Sequence, residues 1–248
     1  MRLTLAESRL LKESIGIISE LVSEVNFKID KDKIEIIAVD PANVVMVVFK
    51  LLGSAFIEYD VKKNCNIAVS LDSLKQILRR VKPTDTLTLE LDEEKNRLRV
   101  ILKGDSHRTF NLSLIDIEDK EQKVPVLDFP VKIEINSQVF EDAIEDVSIV
   151  AESVALNAVK DRFFIESEGN FSDANVELRK DEDTLIELTG DSVRAKYSIE
   201  YLKKIVKGGK LADKATIQFN KDYPLKIDYK VLNKLDLAFI LAPRVDNI

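Results

Sequence analysis

Two hydrophobic periods alternate along this chain. Residues 9–25 put Leu11, Ile15, Ile18, Val22 and Val25 on one stripe at helical spacing, with Lys12, Gly16, Ser19 and Ser23 opposite, and so predict an amphipathic helix. Residues 72–82 predict a second helix. There Leu71, Leu74, Ile77, Leu78 and Val81 face a core, and Lys75, Arg79 and Lys82 recur at i, i+4 and i+7 on the other side. Arg80 lies beside them and Pro83 stops the run. A third helix covers Val139 to Ala151. A fourth opens on Ser198 as N-cap, with Leu202, Ile205 and Val206 inward and Lys203, Lys204 and Lys207 outward, and closes at Gly208-Gly209. Between the helices, runs of period two predict strands: IEIIAVD, VVMVVFKL, TLTLELD, LRVILKG, TFNLSLID, KIEIN, FFIES, NVELRK, TLIEL, TIQFN, LKIDYKV and LDLAFILA. Strands dominate. The expected class is α+β, with antiparallel sheets and helices gathered on one face.

The pattern occurs twice. SLDSLKQILRRVKPTDTLTLEL from Ser70 returns as SIEYLKKIVKGGKLADKATIQF from Ser198, an offset of about 128 residues. FKIDKDKIEIIA matches LNAVKDRFFIES, RLRVILKG matches PLKIDYKV, and LLKESIGIISELVSEVN has the period and place of VFEDAIEDVSIVAESVA. This offset far exceeds the 20–50-residue period of a solenoid and points to a duplicated domain. The expected division is residues 1–115, a connector at 116–130, and residues 131–248. The connector, DIEDKEQKVPVLDFP, repeats nothing and is long for a connection. The apolar LAP at Leu241 to Pro243 sits near the chain end, so it is either docked or offered to a partner.

Composition narrows the chemistry. The 248 residues, 45% hydrophobic, suffice for two cores. No apolar run approaches the ~20 residues that cross a bilayer, and no secretory pattern opens the chain, so the reading is a cytoplasmic protein without a membrane partner. One cysteine, Cys65, rules out an intrachain disulfide or Cys-rich zinc site, and it reads as a buried structural thiol. The single histidine, His107, stands at a turn-to-strand entry and builds neither a catalytic triad nor a His-rich metal site. No phosphate-binding glycine motif is present. Asp40 and Asp116 could be imagined as a carboxylate metal nuclease. Asp40 before Pro41 reads more simply as a turn residue, and Asp116 as a loop start. No catalytic residue, metal or cofactor is expected. The net charge of −7 argues against a nucleic-acid binder, yet basic stripes fall at the same place in both repeats. Such stripes suit phosphate contact without sequence preference. Tryptophan is absent and no aromatics interleave, which disfavours stacking on single strands.

AVDPANVVMV, LKQILRRVKPTDTLTL, HRTFNLSLID, NVELRK, YPLKIDYK and the terminal LAPRV together resemble the sliding clamps of the proliferating cell nuclear antigen family, of archaeal type, over essentially the whole chain. The resemblance implies two similar clamp-type domains per subunit and a ring of three copies, a homotrimer, with helices lining the hole and antiparallel sheets outside. Such a ring encircles duplex DNA topologically and tethers DNA polymerase, the clamp loader, flap endonuclease and DNA ligase. Basic residues inside and acidic ones outside would reconcile the net charge with DNA. A subunit of a heterotrimeric clamp is the alternative.

By position in the family, Lys12, Arg79 and Lys207 face DNA, with Lys75, Arg80, Lys82, Lys203, Lys204 and Lys210 as neighbours. The partner-peptide pocket falls on Val39, Asn43, Val44, Met46, Gln122, Val124, Pro224, Ile240, Leu241, Ala242 and Pro243. An apolar pocket roofed by a loop takes a short helical turn with aromatic anchors. The subunit contact pairs the strand near Arg108 to Leu114, carrying Phe110 and Leu112, with the strand near Ala174 to Arg179, carrying Val176 and Leu178. Arg80, Lys82 and Arg108 would oppose Asp142, Glu145 and Asp146. The chain departs from the family pattern at Gln122 and on the third helix, where Glu141, Glu145 and Glu152 share one side with Ser148. Either those acids serve the subunit contact, or one arc of the hole grips DNA weakly.

Overall fold

A computed structural model describes residues 1–117 and 122–244. Positions 118–121 of the connector and 245–248 of the C-terminal domain lie outside the described residues. The first half runs β1 (Arg2–Leu5), α1 (Arg9–Ile18), β2 (Glu24–Ile29), β3 (Lys33–Val39), β4 (Val45–Leu52), β5 (Glu58–Asp60), β6 (Cys65–Ser70), α2 (Leu71–Leu78), β7 (Thr86–Asp92), β8 (Arg97–Lys103) and β9 (His107–Ser113). The second runs β10 (Val131–Asn136), α3 (Ser137–Ser148), β11 (Ser153–Val159), β12 (Arg162–Glu168), β13 (Asp173–Arg179), β14 (Leu185–Leu188), β15 (Ser192–Ser198), α4 (Ile199–Ile205), β16 (Lys214–Phe219), β17 (Leu225–Val231) and β18 (Leu235–Leu241). The order is the same in both halves: strand, helix, five strands, helix, three strands. The repeat legible in four sequence segments therefore extends to every element, and the class is α+β.

The chain forms two compact units. The first holds Met1–Pro41, Val47–Val124 and Val231–Leu237; the second holds Ala42–Met46, Pro125–Lys230 and the chain from Ala238. In the first unit an antiparallel sheet runs β5-β1-β7-β8-β9. Leu3, Leu89, Val100 and Phe110 stand opposite one another across it. The first three are buried, and the row runs out at half-buried Phe110. A second layer pairs β2 with β3 and β6. α1 and α2 pack together, burying Leu11, Ile15, Leu71 and Leu74.

The second unit repeats this plan. Strands β14-β10-β16-β17 are neighbours in one sheet, and β13-β12-β11-β15 form another. Ala195, Leu156, Ile165 and Val176 make a cross-strand row that likewise ends half-buried, at Val176 on β13. α3 packs on α4 and on a 3₁₀ turn, Val206–Lys210.

Several boundaries differ from the sequence reading. The helix expected over 9–25 ends at Ile18. Val22 and Val25 are buried all the same, Val25 within β2, because a strand's alternation continued the helical stripe by coincidence of phase. The second helix ends at Leu78, five residues before Pro83, and Ile77 is only half-buried. Ser198 occupies the N-cap position of α4 without a side-chain bond, whereas Ser70 caps α2 by accepting from the Ser73 N–H at 3.4 Å. Gly208-Gly209 does not end the helical path but carries it on as the 3₁₀ turn. A Cβ on Gly208 would fall within 3.0 Å of three ring carbons of buried Tyr229, so glycine is there for close approach. Strands β1, β2, β5, β6, β11 and β15 are absent from the expected set. Cys65 is half-buried rather than buried, its Sγ 4.0 Å from Met1 Sδ, and burial raises its thiol pKa.

Candidate functional site

The basic residues fall on corresponding helices of the two units but in different electrostatic settings. In the first unit Lys12 on α1 and Lys75 on α2 are half-buried, and Arg79 and Arg80 just past α2 are exposed. None of these four side chains has an ion-pair partner among the described residues. Lys82 pairs with Asp105 at 3.4 Å, with both side chains largely exposed. In the second unit the cations are more engaged. Lys203 Nζ lies 3.0 Å from Glu145 of α3 and 3.4 Å from Ser148 Oγ. Lys204 pairs with Glu200 one turn back and stands over the Tyr201 ring. Lys207 and Lys210 sit on the 3₁₀ turn beside α3.

The acidic departure on α3 thus acquires an internal role. Glu145 neutralises a cation of its own chain, while Asp142 accepts from Gln138 Nε2 at 2.8 Å and Asp146 is exposed without a cation among the described residues. Asn136 caps α3 through its side chain, accepting from the Gln138 and Val139 N–H groups.

Arg108 meets a carboxylate within its own unit. Its guanidinium pairs with Asp85 of its own unit, and its Nη1 donates to the Arg80 carbonyl at 3.0 Å. Asp85 is 2% exposed and also accepts from the Lys82 N–H at 2.7 Å. That backbone bond, and then the guanidinium, hold its carboxyl below the usual aspartate range. A Cβ on Gly104 would press on the same carboxylate. Arg108 therefore ties the start of β9 to the Arg79–Lys82 segment. Asp85 went unnoticed in the sequence. Its only signal was an aspartate in a proline-led turn, which is common in structural roles.

The sheet edges are unequal. Among the described residues, β5 and β14 are short edge strands of three and four residues. β6 is crossed by Ile115, whose N–H donates to the Ala68 carbonyl, and β15 by Arg244, whose N–H donates to the Lys196 carbonyl at 2.8 Å. That leaves β9 in the first unit and β13 in the second, seven residues each, as open edges. Phe110 and Leu112 lie on one, Val176 and Leu178 on the other.

Of the pocket residues, Asn43, Val44, Met46 and the tail fall in the second unit. There the Ala242 N–H donates to the Val44 carbonyl at 2.8 Å. Asn43 adopts φ 56, a left-handed turn that asparagine tolerates. The tail is docked: Ile240 and Leu241 close β18 and are buried, Leu241 completely, so only half-buried Ala242 and Pro243 present surface. Pro224 is half-buried ahead of β17. Val39, Gln122 and Val124 belong to the first unit, with Val39 and Gln122 half-buried and Val124 exposed. Among the described residues no group of three or more His, Cys, Asp and Glu could hold a metal ion. Asp40 is buried, Asp116 is exposed, and His107 is exposed at the start of β9.

Two domains of identical element order, with a basic helix pair in the first and an open strand edge in each, define a clamp-type protein. Comparison with known proteins agrees along the full length. The family model for the N-terminal domain of proliferating cell nuclear antigen matches residues 1–122, and that for the C-terminal domain matches 123–244. The chain is 34% identical to the DNA polymerase sliding clamp of Nanoarchaeum equitans, covering 99% of this chain and 100% of that one. It is 35% identical to the clamp of Pyrococcus furiosus, covering 92% of each. The crystal structure of the nuclear antigen from Thermococcus kodakaraensis superposes with a TM-score of 0.92 at 28% identity, over 98% of this chain and 99% of that one. The chain belongs to the proliferating cell nuclear antigen family.

Proposed function

We propose that three copies of this chain close into a homotrimeric ring around duplex DNA and act as a processivity factor, without a catalytic step or cofactor of its own. The open edges carry this reading. A head-to-tail contact needs two different, complementary patches. β9 and β13 are different strands of equal length, each ending an apolar row, and each would be an aggregation hazard if left unpaired. Pairing β9 of one copy with β13 of the next satisfies both and closes the circle.

Lys12, Lys75, Arg79, Arg80 and Lys82, with Lys203, Lys204, Lys207 and Lys210, then supply non-specific phosphate contact. The grip is topological, so weak contacts suffice and allow sliding. Asn43, Val44, Met46, Pro224 and the 240–243 tail of the second unit receive short partner peptides. The partners are the replicative polymerase, clamp loader, flap endonuclease and ligase, met in the cytoplasm on the nucleoid. The domain boundaries in this reading are 1–115, 116–130 and 131–248. Native mass at moderate salt tests it, because a closed ring weighs about three times the 28.1 kDa chain. A monomer or dimer at micromolar concentration refutes a self-sufficient ring.

A further inference from the structure

Phe171 is the most exposed large apolar side chain among the described residues, at 102% of the reference value, and Ile149 follows at 87% among its neighbours in the fold. The two lie at one end of the second unit. Phe171 tips the β12–β13 turn, and this turn rests on the end of α3. The Gly169 N–H donates to the Ser172 carbonyl at 2.9 Å, and a Cβ on Gly169 would fall within 3.0 Å of the Val150 carbonyl oxygen. The turn is seated, so Phe171 is held out in a fixed place, two residues ahead of open strand β13. Exposing a rigid aromatic beside an unpaired strand edge is unfavourable unless a partner covers both.

We propose that Phe171, flanked by Ile149, is the apolar anchor of the contact between copies and seats on the next copy's Leu114 and Ile115. The inference rests on the ring reading and names the residues that hold the ring shut. Three observations choose a second copy as the occupant. Phe171 is continuous with the β13 edge. The flanking helices are complementary in charge: α3, carrying Asp142 and Asp146, packs beside β13, whereas α2, followed by unpaired Arg79 and Arg80, packs beside β9. Finally, antiparallel pairing of β13 with β9, the sense in which each of these two strands already pairs with its neighbour, carries Phe171 past Ser113 at the end of β9. There Leu114 and Ile115 are half-buried and fixed, their N–H groups donating to the Asn96 and Ala68 carbonyls. Parallel pairing would instead bring Phe171 to exposed Asp105 and Ser106.

The chain has no tryptophan, so Phe171→Trp gives a single emission probe. Its emission should be blue-shifted in the assembled ring and shift to the red on dilution, as native mass falls. Emission of a fully hydrated indole in an assembled ring overturns the proposal. Phe171→Ser should raise the dissociation constant of each contact roughly 10- to 100-fold, the equivalent of burying one phenylalanine. Circular dichroism should stay unchanged, since the side chain supports nothing within the chain. Val126→Ser, at an equally exposed residue of the connector, should leave assembly unchanged, and an equal loss there refutes a specific anchor. If wild type assembles and Phe171→Ser dissociates at the same concentration, the anchor fails and the ring stands. If wild type stays near 28.1 kDa at every concentration, both fail.

Discussion

Gly208→Ala puts one methyl group where the fold leaves no room. The new Cβ would lie within 3.0 Å of three carbons of the Tyr229 ring, which is fully buried and packed edge-on against Phe239 at 6.4 Å. The ring cannot retreat toward solvent, and its hydroxyl is already buried without a hydrogen-bond partner among the described residues. The 3₁₀ turn must therefore lift from β17. Forcing a methylene into a packed core costs about 1–3 kcal/mol. At roughly 2–4 °C per kcal/mol for a chain of this size, the melting temperature should fall by about 2–12 °C. Gly16 is the internal contrast. It lies inside α1 with no atom within 4 Å of its added Cβ, so Gly16→Ala should gain about 0.5–1 kcal/mol from reduced unfolded-chain freedom. The assay is differential scanning calorimetry at one protein concentration, since assembly contributes to stability by mass action. Equal melting of Gly208→Ala and wild type would refute the close-approach reading. Destabilisation that persists when Tyr229 is shortened to Leu would assign the effect to the turn itself.

Arg79→Glu should weaken DNA-dependent stimulation of a polymerase, most visibly as salt rises, while native mass stays unchanged; full stimulation at physiological salt would remove Arg79 from the DNA-facing set. Leu241→Ala should cost about 2–5 kcal/mol in a melt, because the side chain is wholly buried, whereas ending the chain after Leu241 should cost less and abolish partner-peptide binding in a titration. The Asp85 carboxyl is depressed below its ordinary 3.8, so its contribution is fully present above that value and is lost as pH falls below it. Protection of β9 amides, relative to their intrinsic exchange rates at each pH, should fall as acid takes the pH under 3.8, and Asp85→Asn should lack that acid-dependent step; an identical acid profile in the variant would show that the pair does not hold β9.

The fold was legible where one period ruled a segment. The second repeat could be aligned by eye because Leu202, Ile205 and Val206 restate Leu74, Ile77 and Leu78. Legibility failed where periods met. Val22 and Val25 extended the first helical stripe although the backbone had turned into β2, since a buried position is apolar in either geometry. Short strands such as β5 and β1 carry too few alternations to stand out, and they exist because neighbours pair with them. At the candidate site the basic helix faces were readable, being patterned within one element. Their partners were not. Asp85 and Arg108 lie 23 positions apart, and Glu145 and Lys203 lie 58 apart, so only the packing of elements joins them. The sequence left Leu241 either docked or offered, and the last strand decides it by burying the side chain.

The pairing of Glu145 with Lys203 bears on how an acidic chain can surround DNA. Both side chains are about half exposed, so the pair contributes only about 0–1 kcal/mol to stability. Its larger effect is on the local field: a cation on α4 is cancelled by an anion on α3, whereas Lys75 and Arg79 at the corresponding helix of the first unit keep their charge among the described residues. In the proposed ring of three copies, that asymmetry would give alternating strong and weak arcs instead of a uniform positive lining. A topological grip tolerates this, since encirclement prevents escape and a weak arc lowers the barrier between neighbouring phosphate registers. The open alternatives for the acids on α3 then divide by residue. Glu145 tempers the basic surface of its own chain. Asp142 and Asp146 have no cation of their own among the described residues, and in the proposed ring they would face Arg80, Lys82 and Arg108 of the next copy.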